Sequence, residues 1–151
     1  MTNSIDATVD LGIFGEGPGG RSLREYLNIC VGVDHSSLSD EYMRLPADYA
    51  FWNEKYAAVY AEYLQRKSMS EQTKSRRRME LREVLVASGE KVSEARLDSE
   101  VSQDEEYIAA RFAEIDIEAK MKYLHGILDV LRTKRDMLIS LGAHQRAEMS
   151  M

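Results

Sequence analysis

An all-α fold of long helices is what this chain of 151 residues predicts, and three observations carry the prediction. Only two prolines occur, Pro18 and Pro46, so nothing in the second half forbids a helix. Apolar residues recur at intervals of three and four over two long stretches, the period of a helix with one buried face. Charge is sorted along the chain as well. Arg66–Arg82 holds seven bases and two acids, net +5, although the whole chain carries −6. Residues 83–118 hold eleven acids and three bases, net −8, and a weaker basic stretch lies between Lys120 and Arg146.

Residues 1–22, ending in Gly15-Glu16-Gly17-Pro18-Gly19-Gly20, read as a flexible glycine-rich arm, and 23–151 as one helical domain. A short helix is predicted over Leu23–Asn28. Alternating Ile29, Val31 and Val33 then predict a short extended segment, stopped at Asp34-His35-Ser36-Ser37. The first long helix is placed from Pro46, a residue suited to a first turn. Its apolar seam is Tyr49, Trp52, Tyr56, Val59 and Tyr63, with Tyr60 and Leu64 beside it. Ser68 and Ser70 suggest a break before a basic helix over Glu71–Val86, which Ala87-Ser88-Gly89 would end. An acidic linker or short helix fills 90–103. The last helix is predicted from Asp104 to Leu141, closed by Gly142. Its heptad row is Ile117, Met121, Leu124, Leu128, Leu131 and Leu138, with Arg135 interrupting it.

Two such seams exceed what one short chain can cover, which predicts self-association into a ring-like homo-oligomer larger than a dimer. Trp52, Tyr56, Leu124, Leu128, Leu131 and Leu138 are the candidate oligomerisation residues.

Catalysis finds no support in the residue pattern. Cys30 is the sole cysteine, so no intrachain disulfide or multi-cysteine metal site can form. His35, His125 and His144 have no partners at ligand spacing, and Asp104-Glu105-Glu106 reads as charge at a helix N-terminus. The glycine run formally matches a dinucleotide fingerprint, but that motif needs a strand–turn–helix setting that this chain does not supply. No catalytic residue, metal or cofactor is therefore assigned, and the chain reads as a non-enzyme. No membrane-spanning run or signal peptide is visible, so a cytoplasmic protein is expected.

The basic helix carries the chemistry. Lys74, Arg78 and Arg82 share one face at i, i+4 and i+8, where they repel unless an anion lies across them. Arg76 and Arg77 broaden the strip, and arginine favours paired phosphate contacts. These five are the candidate residues for binding a polyanion. Lys67, Lys120, Lys122, Arg132, Lys134 and Arg135 form a secondary set. The Tyr49–Tyr63 aromatics suit a core or subunit interface better than base stacking, with Tyr60, off the seam, left open.

The order of these features resembles the UvsY-type recombination mediators of tailed phages. The likeness runs from about Leu23 to Met149. It includes Leu23-Arg24-Glu25-Tyr26-Leu27, Val33-Asp34-His35-Ser36, Phe51-Trp52, the basic helix before Ser88-Gly89, Val101-Ser102-Gln103-Asp104 and Gly126-Ile127-Leu128-Asp129, then the basic stretch Arg132-Thr133-Lys134-Arg135. Ala95-Arg96-Leu97-Asp98 is similar to a family DNA-binding motif, but it lies after the turn among acids and is given no such role. The resemblance implies a small, mostly helical ring-former that binds single-stranded DNA without sequence preference. It also implies a recombinase and a single-strand-binding protein as partners, with the basic helix making the DNA contacts and the host cytoplasm as the location. The alternative from another class is a helical scaffold or assembly protein with no DNA-binding activity.

Overall fold

The computed structural model describes residues 15–150, and the predicted all-α class holds. Four α-helices follow in order: α1 (Leu23–Val31), α2 (Leu38–Ala87), α3 (Glu94–Val101) and α4 (Glu105–Met149). Among the described residues there is no strand, only one isolated bridge between Glu16 and Ser22. No helix among them is long and apolar enough to cross a membrane. The chain divides into two compact units, one of the residues up to Tyr56 with those from Lys122 onward, the other Ala57–Met121.

In the first unit, the predicted arm lies outside the described residues as far as residue 14. Residues 15–22 form a hydrogen-bonded loop, with the Gly17 N–H donating to the Arg21 carbonyl at 2.6 Å and Leu23 N–H to Gly15 at 3.1 Å. Gly19 and Gly20 both take φ of 72°, a backbone that side chains disfavour. The glycine run is therefore a tight lead-in to α1. Ser22 and Glu25 cap α1 reciprocally, at 3.2 and 3.0 Å.

The extended segment predicted at Ile29–Val33 is not a strand. α1 continues to Val31, because the box fixes the helix start and because Leu23 and Cys30, seven residues apart, are both buried on one helical face. The chain leaves the helix at Gly32, in extended geometry.

α2 begins eight residues before Pro46 and carries that proline inside it. Its buried row explains why the start was missed. Leu38, Glu41, Leu45, Asp48 and Trp52 follow at spacings of 3, 4, 3 and 4, all at most 9% exposed. Two of the five are carboxylates, so the apolar pattern is broken where the packing is not. α4 shows the same device, with Lys134 buried in a row containing Leu124, Leu128, Leu131 and Leu138. Lys134 Nζ lies 2.6 Å from Glu41 Oε2 and donates to the Cys30 carbonyl at 2.7 Å. Arg44 reaches both Glu41 and Asp48 at 3.2 Å, and the Tyr26 hydroxyl donates to Asp48 at 2.9 Å. Burial pushes the Tyr26 phenol up most, aided by that hydrogen bond to Asp48. Burial opposes ionisation of Glu41, but its bonds to Lys134 and the Asp34 N–H, with the charges of Lys134 and Arg44, hold it below the usual range.

Around this network Trp52 packs edge-on to Phe51, with centroids 5.2 Å apart and planes at 89°, and stacks near Tyr26. α4 does not stop at Gly142. That glycine is buried where a Cβ would lie 3.2 Å from the Tyr42 hydroxyl, so its role is close approach.

In the second unit, α2 runs unbroken through Ser68 and Ser70. Ser68 accepts from Gln72 at 3.0 Å, and Ser70 is buried beside Glu114, so neither hydroxyl need compete with the helix backbone. The predicted stop at Ser88-Gly89 is present. Gly89, at φ 73°, closes a Schellman turn in which Glu90 N–H reaches the Leu85 carbonyl at 3.0 Å and Gly89 N–H reaches Val86 at 3.1 Å. Ser93 caps α3 and Asp104 caps α4. Leu85, Leu97, Val101 and Ile117 are buried as the core of this unit.

Two outcomes are expected from the buried pair. Lys134→Met leaves Glu41 buried with one fewer partner and should cost about 3 kcal/mol in urea unfolding, whereas Glu41→Met with Lys134→Met should recover most of it. The depressed pKa of Glu41 adds stability that is present above its unfolded value, about 4.3, and lost as pH falls through its lower folded value. Thermal scans in acid should therefore show a shallower decline for Glu41→Gln than for the parent.

Candidate nucleic-acid interface

The five primary candidates all lie on the part of α2 that belongs to the second unit. The turn at Gly89 brings the following acidic segment alongside them, so that later acids meet earlier arginines. Arg82 pairs with Glu94. Arg78 pairs with Glu94 through one nitrogen and with Asp98, at 2.9 Å, through the other. Arg77 Nε donates to Asp104 Oδ2 at 2.8 Å and its NH1 to Glu80 at 2.6 Å. Arg76 pairs with Glu80 at 3.2 Å and with Glu106.

Asp104 has two duties. One oxygen accepts the Tyr107 N–H at 3.0 Å and caps α4, while the other holds Arg77. The Arg77 hydrogen bond, followed by that N–H, holds its carboxyl below the ordinary range. Hydrogen bonds to Glu106 and to Asp104 likewise raise Arg76 and Arg77, so both remain cations.

Lys67 and Lys74 differ from the arginines. Both are exposed, and neither forms an ion pair among the described residues. They line a groove of about 430 Å³ between α2 and α4, with Tyr63, Ser70, Tyr107 and Arg111. Glu114 in its wall is 5% exposed and tied to Arg111 at 2.5 Å. Tyr60, 42% exposed, has its ring 6.4 Å from that of Tyr63.

The secondary set is not one surface. Lys120 pairs with Asp116 at 2.8 Å in the second unit. In the first unit Lys122 is exposed, Arg132 is bound to Asp129 and Tyr49, and Arg135 to Asp136. Lys134 is withdrawn altogether, because a side chain 2% exposed and committed to Glu41 has nothing to offer a strand.

The oligomerisation residues need a similar correction. Trp52, Leu124, Leu128, Leu131 and Leu138 are at most 2% exposed within one chain, so they are core, and only Tyr56 keeps partial exposure. Heptad spacing marks a row to be covered without saying by which chain. On α4 a different row, Tyr123, Val130 and Met137 at i, i+7 and i+14, is 37, 47 and 50% exposed.

What sequence reasoning missed is the clamp. A segment of net −8 directly follows one of net +5, with a glycine turn between them, and that signal was present in the charges. A reversal at such a turn sets the two against each other before any partner arrives.

No family model matches the sequence, and no curated protein matches it. Solved structures do match. Three are crystal structures of the bacteriophage T4 recombination mediator protein UvsY, in lattice types I, II and IV. Identities are 15–17% and TM-scores 0.66–0.67, covering 83–84% of this chain and 95–98% of those chains. Across most of its length, the chain has the fold of the T4 recombination mediator UvsY.

Proposed function

We propose that this protein binds single-stranded DNA without sequence preference and acts as a recombination mediator. It would assist a recombinase to load where a single-strand-binding protein must yield. The observation that carries the reading is the cationic face of α2, placed on a fold shared with a named recombination mediator. The protein acts by binding and not by catalysis, as a homo-oligomer, in the cytoplasm of an infected host. Several cationic faces in one assembly turn weak contacts into avidity. The exposed row Tyr123, Val130 and Met137 is the surface for assembly in this reading. A helical scaffold without DNA binding is the second reading, and the carboxylates that already answer Arg76–Arg82 favour it.

Arg76→Ala, Arg77→Ala and Arg78→Ala together should weaken binding to single strands of every sequence. Because each phosphate neutralised contributes about 0.7 to the log–log salt slope, the slope should also flatten. Helicity should persist, since alanine favours helix and these side chains are at least one third exposed or nearly so. An unchanged slope would move the interface to Lys67 and Lys74, and absence of binding at low salt would leave the scaffold.

Val130→Asp with Met137→Asp should lower the mass seen in sedimentation equilibrium while retaining circular dichroism. A parent that sediments as a 17.2 kDa monomer at micromolar concentration would end the assembly reading.

A further inference from the structure

Four of the five candidate phosphate-binding side chains already hold an anion from their own chain. Two of those anions come from α3. Leu97 and Val101 seat that helix in the core of the second unit, at 0 and 2% exposure. Glu94 and Asp98, three residues before Leu97 and one after it, are thereby carried to Arg78 and Arg82. Glu94 bridges both arginines, and Asp98 takes the second nitrogen of Arg78 at 2.9 Å. A carboxylate meets a guanidinium as a phosphate does, through two oxygens in its N–H plane.

We propose that α3 is an acidic gate, in which Glu94 and Asp98 occupy the positions where a strand's phosphates pair with Arg78 and Arg82. This rests on the single-strand reading above and adds what limits binding there. The gate opens at the level of side chains. Glu94 and Asp98 are 66 and 52% exposed, so rotation into water frees the arginines while Leu97 and Val101 keep α3 in place. A lone phosphate gains little, since it exchanges one anion for another. A strand presents successive phosphates on one backbone and displaces both carboxylates together, so the gate selects polymers over mononucleotides.

The test is titration of labelled oligothymidylate by anisotropy across a salt series. Glu94→Gln with Asp98→Asn keeps size and removes both charges. With each of the three exposed pairs worth roughly 0.2–1 kcal/mol, affinity should rise about 3- to 150-fold. The salt slope should steepen, because the arginines no longer trade one partner for another. Glu54→Gln with Glu148→Gln changes net charge equally, within the first unit, and should leave affinity near that of the parent. Asp98→Asn alone, inside α3 and outside its cap, should give a smaller step in the same direction if the double variant loses helicity. Equal binding by the parent and the gate variants overturns the gate and leaves the single-strand reading standing. Equal gains from the gate and control variants reduce the effect to net charge and overturn it as well. Failure of every variant to bind at low salt removes both.

Discussion

Glu41 and Lys134 stand where helix packing calls for apolar side chains, and the first unit is organised by that exception. Each lies within a buried row, Glu41 between Leu38 and Leu45, Lys134 between Leu131 and Leu138. Desolvating either charge alone costs several kcal/mol, so the unit is stable only where the two meet. Sliding α4 by one turn against α2 in this unit would leave both buried without a partner. The Cys30 carbonyl, in the last turn of α1, accepts a further hydrogen bond from Lys134 and brings the third helix into the same arrangement. Apolar rows determine that these helices pack; the ion pair determines how.

Legibility in the sequence follows from the same chemistry. Rows in which apolar residues dominate, such as Ile117, Leu124, Leu128, Leu131 and Leu138 with Lys134 as the one buried charge, could be read from spacing. The first two turns of α2 could not, because Glu41 and Asp48 look like solvent-facing residues until Lys134, Arg44 and Tyr26 are placed beside them. Glycine was ambiguous for a related reason. Gly89 ends a helix by adopting positive φ, whereas Gly142 sits inside one to admit the ring of Tyr42. Identical residues answer two different demands, and only the neighbours tell them apart.

The cationic strip was legible as a set of residues but not as a surface. Helical spacing located Lys74, Arg76, Arg77, Arg78 and Arg82 correctly on one helix. Spacing says nothing of what folds back upon it. Once the turn at Gly89 is formed, local charge is close to balanced, and any polyanion meets arginines that are oriented but occupied. Prepaid orientation of those side chains lowers the entropic cost of a new partner even as the resident carboxylates oppose it.

The chain's one tryptophan is wholly enclosed, with Phe51 and Tyr26 around it in the first unit. Its emission is therefore a reporter of that core alone. A nucleobase cannot reach the indole to quench it, and loosening confined to Ala57–Met121 need not alter its colour. Selectively excited tryptophan fluorescence will follow the integrity of one unit and stay silent about events in the other, which holds tyrosines such as Tyr60, Tyr63 and Tyr107 but no tryptophan.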